Sequence, residues 1–316
     1  MNRDNPVLGI VVPCYNEQEV LMDSFKRLDQ IYKELIVCKK ISKDSFILFV
    51  DDGSKDKTWE IITSFKENHT HVKGMKLSKN FGHQNAVLAG MISAKESADC
   101  IISIDADLQQ DPKTLYEFIA KYREGYDIVY GVRNDRSSDS LYKKTTALSF
   151  YKLMSLMGVE LIRNHADFRL VSRRVLDALS DYKEVNLFLR GIFPTLGFRE
   201  TIIYHDVTDR LAGESKYSIK KMLSLALNGI TSFSIMPIRF ITITGFVLFV
   251  FSLMMSGYVF YAVLFKKTVL GWASTVLPIY FIGGVQLLSL GLIGEYIGKI
   301  YLEVKRRPRF IVEEEI

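Results

Sequence analysis

Cysteine is scarce in this sequence, and its histidines are not spaced like zinc ligands. Cys14, Cys38 and Cys100 are an odd number of cysteines with no CxxC spacing. This usage argues against a disulfide framework and favours a reducing compartment. The five histidines also lack a regular ligand spacing, so the sequence gives no reason to expect a zinc site.

A basic stripe with interleaved aromatic residues is missing as well. The net charge is a modest +5 at pH 7, and lysine and arginine are spread through most of the chain. This distribution argues against a nucleic-acid partner. The first residues, MNRDNPVLGIVVP, lack the basic, apolar and small-residue order of a signal peptide. We therefore expect the first domain to stay in the cytoplasm.

Charge is absent altogether from two long runs in the last third of the chain, 240–265 and 268–294. Each run exceeds the roughly 20 residues that a helix needs to cross about 30 Å of hydrocarbon. Two buried helices of a soluble core are the alternative, but such helices are rarely so long and so uniformly apolar. We predict a two-span transmembrane hairpin over 239–298.

Cations flank this predicted hairpin unequally. Lys266 and Lys267 lie between the spans, and many more lie outside them: Lys216, Lys220, Lys221, Arg239, Lys299, Lys305, Arg306, Arg307 and Arg309. Because positive residues favour the cytoplasmic side, we expect a multi-pass protein of the cytoplasmic membrane with both termini inside and 299–316 as a basic tail. Residues 213–238 combine a loop with apolar residues at helical spacing. This pattern predicts a juxtamembrane amphipathic helix, with an ordinary surface helix as the alternative.

Residues 1–212 alternate short β-branched runs with helical patterns. Strands are predicted at 7–13, 45–52, 72–78, 100–106 and 127–133. Helices are predicted between them, around 17–37, 56–68, 83–97 and 112–123. The alternation predicts an α/β domain whose mostly parallel sheet is covered by helices on both faces. Ligands of such sheets bind beyond the carboxyl ends of the strands.

Polar residues follow the predicted strands at that edge, in PCYNEQE, DDGSKDKT, DADLQ and GVRNDR. Asp52 can accept a hydrogen bond from an NH-bearing ligand there, although turn chemistry alone also explains the DDGS segment. Asp105 and Asp107 lie two residues apart where the fourth strand ends. Their charges would repel without a cation, and Mg²⁺ or Mn²⁺ accepts such carboxylates together with phosphate oxygens. We predict a metal and diphosphate site at this pair.

Six motifs carry a resemblance to a known family: VVPCYNE, VDDGSKDKT, LSKNFGHQNAVLAG, DADLQQDP, DFRLVSRR and DRLAGESKYS. Together they resemble the polyprenyl-phosphate glycosyltransferases of glycosyltransferase family 2. The resemblance implies a GT-A, Rossmann-like catalytic domain and inverting transfer of a sugar from a nucleotide diphosphate sugar, with UDP-glucose as first choice, to a polyprenyl phosphate. The product would serve cell-envelope glycan modification. Lys79, Gln110 and Asp111 depart from the usual family pattern.

The resemblance also implies roles for individual residues. Asp105 and Asp107 would hold the cation on the diphosphate, with Gln109 close to it, and Asp167 matches the residue expected to act as base. The nucleoside and its diphosphate would be held by Pro13, Tyr15, Asn16, Glu17, Asp52 and Asp105. Phosphates of donor and acceptor would be held by Arg133, Arg210, Ser215 and Lys216.

Several of these roles keep a simpler alternative. A lipid phosphate is already anionic near neutral pH, so Asp167 would position it more than deprotonate it, or would only pair with Arg169 or Arg173. Arginines 133 and 210 offer the planar donor fork that suits phosphate, but each alone fits a solvated surface residue equally well. His83 lies at a predicted helix start, where packing or capping explains it better than ligand contact.

Other functions stay open at this stage. A transporter component is disfavoured because two spans provide no intramembrane ionisable path. A nucleotide-sugar-binding protein without turnover would need neither Asp167 nor a basic loop beside the membrane. A processive polysaccharide synthase would need more spans than two. Packing between copies of the hairpin or of the interfacial helix would give a homo-oligomer.

Overall fold

The computed structural model describes residues 3–134, 165–184, 189–206, 236–265 and 272–316. Its strands are β1 (Leu8–Cys14), β2 (Phe46–Asp51), β3 (Val72–Leu77), β4 (Cys100–Ser103), β5 (Ile128–Arg133), β6 (His165–Ser172), β7 (Glu200–His205) and β8 (Val312–Glu315). Its helices are α1 (Leu21–Val37), α2 (Thr58–Asn68), α3 (His83–Ala94), α4 (Thr114–Arg123), α5 (Arg173–Ser180), α6 (Leu189–Thr195), α7 (Met236–Phe265) and α8 (Trp272–Lys305).

One sheet contains all eight strands, in the order β7-β5-β6-β4-β1-β2-β3-β8. Strands β1, β2 and β4 are buried along their whole length, because helices cover both faces of the sheet. Helices α1, α2 and α4 supply buried apolar residues to one face. Helices α3, α5 and α6 supply them to the other. The predicted α/β domain with a mostly parallel sheet is confirmed, since β1, β2, β3 and β4 pair in parallel, as do β5 and β7.

Strand β6 is the exception that shapes the functional edge of the sheet. It runs antiparallel to both of its neighbours, β4 and β5. Its first residues therefore lie beside the carboxyl ends of these neighbours, where Ser103 pairs with Arg169 and Val132 with His165. A segment that begins a strand is in this way brought to the edge at which parallel strands end.

The C-terminal residues return to the sheet as β8, antiparallel to β3. Gly74 and Ile316 exchange backbone hydrogen bonds of 3.0 and 2.9 Å, and the Ser78 amide donates to the carbonyl of Ile311. Glycine is favoured at position 74 because a Cβ there would lie 2.8 Å from side-chain atoms of Ile316 and Ile62. The sequence prediction treated 299–316 as one basic tail. The structure divides these residues between the end of α8 and an edge strand.

Helices α7 and α8 are 30 and 34 residues long, or roughly 45 and 51 Å at the usual helical rise. Their large apolar side chains are exposed, with Phe240 at 71% and Leu287 at 72%. Among the described residues, Phe281–Lys305 is the one segment long and apolar enough to count as a membrane span, and Pro237–Leu248 is a shorter apolar helix. The two-span hairpin is thus not confirmed. Residues 207–235, which contain most of the predicted interfacial segment, lie outside the described part of the chain.

Removal of residues 311–316 should expose the outer edge of β3. The amides of Gly74 and Ser78 lose their acceptors, so hydrogen exchange of a peptide covering 72–78 should accelerate by about tenfold. Exchange of the β1 amides in the middle of the sheet is the internal control and should not change. Unaltered protection of the 72–78 peptide in the shortened protein would contradict the pairing of β8 with β3.

Candidate active site at the carboxyl edge of the sheet

The loop after β1 is tied to the loop after β2 by short hydrogen bonds. The Asn16 amide donates to Ser54 Oγ at 2.9 Å, and the Lys55 amide donates to Asn16 Oδ1 at 2.9 Å. Asn16 adopts a φ of 55°, a left-handed conformation that asparagine tolerates better than most residues. Next to it, Tyr15 is 39% exposed. The predicted nucleoside loop is thus a fixed turn with an aromatic side chain presented to solvent.

Asp52 connects this double loop to the segment before α3. Its carboxylate is buried and accepts hydrogen bonds from the amides of Phe81 at 2.7 Å and Gly82 at 3.0 Å. Gly82 has a φ of 93°, a conformation that favours glycine. The clamp holds the start of α3 at the sheet edge. A carboxylate has further acceptor positions, so binding of the nucleoside by Asp52 stays a prediction.

Asp105 follows β4 and is held from two sides. Its Oδ2 accepts a hydrogen bond from Gln110 Nε2 at 2.6 Å, and its Oδ1 lies 3.5 Å from His83 Nε2. Asp107 Oδ1 accepts the amide of Gln109 at 3.3 Å. Gln110 is buried, and its Oε1 has no hydrogen-bond partner within the described residues. The glutamine side chain on Asp105 is therefore that of Gln110, whereas the role predicted for Gln109 stays a prediction.

Asp167 lies in β6 at the centre of a charge cluster. Arg169 Nη2 is 2.6 Å from Asp167 Oδ1, and Arg190 Nη2 is 3.0 Å from Oδ2. His83 Nε2 is 3.5 Å from the same Oδ2. Arg169 is fully buried, so the pairing with Arg169 that the sequence left open is confirmed. Arg173, the other partner considered, donates instead to the carbonyl of Ala98.

These contacts determine the ionisation of the cluster. Burial alone would raise the pKa of Asp167, but Arg190, His83 and Arg169 together hold that pKa well below its usual range. Burial alone would lower the pKa of His83, and the carboxylates of Asp167 and Asp105 reverse this and raise it. Asp167 is thus a stable carboxylate and a weak proton acceptor.

Two members of this cluster were not among the predicted site residues. His83 is the first residue of α3, and its Nε2 lies 3.5 Å from a carboxylate oxygen of both Asp105 and Asp167. It therefore begins the helix and also contacts two residues of the site. Its position inside the motif NFGHQ was the available indication. Arg190 is in α6, between the motifs DFRLVSRR and DRLAGESKYS, and only the fold brings it to Asp167.

The structure describes some of the remaining predicted site residues and not others. Pro13 lies inside β1, and Arg133 is the last residue of β5, opposite His205 in β7. The Glu17 amide donates to Thr58 Oγ1 at 2.9 Å. The other predicted phosphate contacts, Arg210, Ser215 and Lys216, lie outside the described residues.

Replacement of Asp167 by asparagine should destabilise the fold as well as the site. The variant leaves the buried Arg169 guanidinium without its counter-charge, and breaking a buried pair costs about 3 kcal/mol or more. The free energy of unfolding, measured with denaturant, should fall by about that amount.

Asp177→Asn is the matched control for this measurement. The Asp177 side chain is 57% exposed, and its carboxylate lies 3.2 Å from Lys95 Nζ. Ion pairs at the surface contribute less than about 1 kcal/mol. Equal losses in Asp167→Asn and Asp177→Asn would contradict a buried, stabilising Asp167–Arg169 pair.

Sequence comparison with known proteins identifies the family of this chain. The family model described as "Glycosyl transferase family 2" matches residues 9–180. The chain is 52% identical to the uncharacterized glycosyltransferase YkoT of Bacillus subtilis over 99% of this chain and 93% of that protein. It is 38% identical to the SfII prophage-derived bactoprenol glucosyl transferase of Shigella flexneri, over 97% of each chain. With strand ends, paired carboxylates and family model in agreement, this chain belongs to glycosyltransferase family 2.

Proposed function

We propose that this protein transfers glucose from UDP-glucose to a polyprenyl phosphate at the cytoplasmic face of the membrane, with inversion at the anomeric carbon. The observation that carries the proposal is the meeting of Asp105, His83 and Asp167, with Arg190, at the carboxyl edge of the sheet. Bactoprenol glucosyl transferases among the relatives, 37 to 38% identical over nearly the whole chain, support the choice of lipid acceptor and sugar.

The donor set at Asp105 and Asp107 suits a hard divalent cation. Both are carboxylates, the Asp105 side chain is 34% exposed, and the pair follows a buried strand. Mg²⁺ and Mn²⁺ prefer such oxygen ligands together with phosphate oxygens. Asp105 and Asp107 would hold the cation, which when bound supplies positive charge to the departing diphosphate.

Positive charge for phosphate comes from the arginine side of the cluster. Arg190 is 37% exposed while Arg169 is fully buried, so Arg190 is the guanidinium within reach of a phosphate. Asp167 stays ionised and orients Arg190 through contacts at 3.0 and 3.3 Å. A lipid phosphate needs little deprotonation before its oxygen attacks the anomeric carbon. We therefore assign Asp167 a positioning role and no proton transfer.

The return of the chain to the sheet supports the two-span hairpin. Strand β7 ends at His205, and β8 rejoins the same sheet at Val312. Any crossing of a membrane by the chain between them therefore occurs an even number of times. If α8 is one span, as its segment Phe281–Lys305 permits, α7 is the described helix long enough to supply the other. The cations after α8, including Arg306 and Arg307, favour the cytoplasmic side for the catalytic domain and β8.

The two neighbouring glutamines make a direct test of the cation site. Gln110→Ala removes the side chain that orients Asp105, and loss of such a supporting contact typically weakens metal binding by 10- to 100-fold. The Mn²⁺ concentration for half-maximal activity should rise by about tenfold. Gln109→Ala keeps the amide that binds Asp107 and should change it by less than about threefold. A larger effect of Gln109→Ala than of Gln110→Ala would overturn the assignment of Gln110.

Product formation tests the function itself. Detergent-solubilised full-length protein should convert labelled UDP-glucose and undecaprenyl phosphate into a glucosylated lipid and UDP in equal amounts when Mg²⁺ or Mn²⁺ is present. Omission of the lipid and the Asp105→Asn/Asp107→Asn variant are the controls, and both should abolish the lipid product. A parallel panel of nucleotide sugars identifies the donor.

Two other outcomes of this assay would indicate a different function. A polymer that grows in length would indicate a processive synthase. Tight UDP-glucose binding with no product on any polyprenyl phosphate would indicate a binding protein without turnover. Either result would refute the proposed function.

A further inference from the structure

Three metal-ligating side chains meet at the opposite end of β3 from the candidate active site. Asp29 comes from α1, His69 directly follows α2, and His71 directly precedes β3. One ligand atom from each lies within 4.8 Å of the other two. Asp29 and His69 are 40 positions apart in sequence, so the spacing of the histidines alone does not reveal the group.

The surrounding rings hold the two imidazoles in place. His71 stacks on Tyr32 with ring centroids 4.3 Å apart, and His69 meets the edge of Phe25 at 4.8 Å. A cleft that includes Asp29 and His69 in its wall opens beside them, between α1 and the end of α2. The ligand atoms are thus pre-oriented and have an access route for an ion.

Two of the ligand atoms lack any other hydrogen-bond partner within the described residues. Asp29 Oδ1 and His71 Nε2 are buried and face one another at 2.9 Å. If the imidazole carries its proton on Nδ1, both atoms present lone pairs, and a cation that lies beside the pair and binds both atoms satisfies both. Metal–ligand distances of about 2.0 to 2.2 Å then give an O–metal–N angle of roughly 90°, so the two atoms move apart slightly to reach tetrahedral geometry.

We propose that Asp29, His69 and His71 bind one imidazole-preferring dication of the first transition row, such as Zn²⁺, at a site separate from Asp105 and Asp107. A ligand set of two imidazoles and one carboxylate favours Zn²⁺ over Mg²⁺, whereas the two carboxylates of Asp105 and Asp107 suit Mg²⁺ or Mn²⁺. The cleft leaves a fourth position for water. Because the ligands come from α1 and from the α2–β3 connection, the ion cross-links these elements and stabilises the native state.

Lys33 is the charged group that competes with the ion. Its Nζ lies 2.6 Å from Asp29 Oδ2, and its side chain is 60% exposed. The ammonium group can turn into solvent when a dication binds Asp29. Lys33→Gln should therefore preserve or tighten Zn²⁺ binding, whereas a change of any ligand should weaken it. This contrast separates a metal site from an ordinary ion-pair network.

The test uses the full-length Asp105→Asn/Asp107→Asn protein in detergent, so that the acidic pair does not contribute. Calorimetric titration with Zn²⁺ should give one equivalent bound, and Co²⁺ should give the visible absorption of a low-coordinate site. Zn²⁺ at 100 times its Kd should raise Tm by about 5 to 10 °C. Adding His69→Gln should weaken Zn²⁺ binding by tenfold or more and remove the Tm shift.

His69 is partly exposed, so His69→Gln should fold, and circular dichroism of the metal-free variants checks this. Asp29→Asn should give the same loss, and Lys33→Gln should not. Absence of Zn²⁺ binding, or binding that survives both ligand changes, would overturn the proposal. No step measures sugar transfer, so failure of this site and failure of the proposed function are told apart.

Discussion

The buried ion pair between Asp167 and Arg169 is the interaction on which the candidate site depends. Both residues belong to β6, and Arg169 is fully buried under the sheet edge. A guanidinium in that position requires a counter-charge nearby, and Asp167 provides it while also contacting Arg190 and His83. Because His83 in turn lies against Asp105, this carboxylate links the acidic pair to the buried Arg169, beside the separate contact of Asp105 with Gln110.

The direction of β6 explains why such a cluster forms at all. Four parallel strands bring their polar ends to one edge, which supplies Asn16, Asp52 and Asp105. An antiparallel strand inserted between β4 and β5 adds residues from its beginning, and Ser103 fixes it there by donating to the carbonyl of Asp167. The sheet thus combines acidic groups from strand ends with arginines from β6 and α6, a charge pattern that suits the proposed sugar diphosphate and lipid phosphate.

Alternation of apolar runs and helical patterns was enough to predict β1 to β5, α1 to α4 and the edge at which Asp52 and Asp105 lie. It did not reveal β6, β7 or β8, because pairing among distant segments places these strands. Asp167 was identified by resemblance to a family, and its partner Arg190 by the structure alone. The resemblance implied Gln109 beside the cation, and the structure adds Gln110 on Asp105, a contact that local spacing does not reveal. The group of Asp29, His69 and His71 was not predicted because Asp29 lies 40 positions from His69 in the sequence, and only the fold brings them together.

The proposed sugar transfer requires a cation held by Asp105 and Asp107 against the diphosphate of the donor. Electron paramagnetic resonance of Mn²⁺ with the purified protein measures this directly. Bound Mn²⁺ should increase when UDP is added to the unaltered protein, and this increase should vanish in the Asp105→Asn/Asp107→Asn variant. An equal UDP-dependent increase in both proteins would place the cation elsewhere and contradict the account.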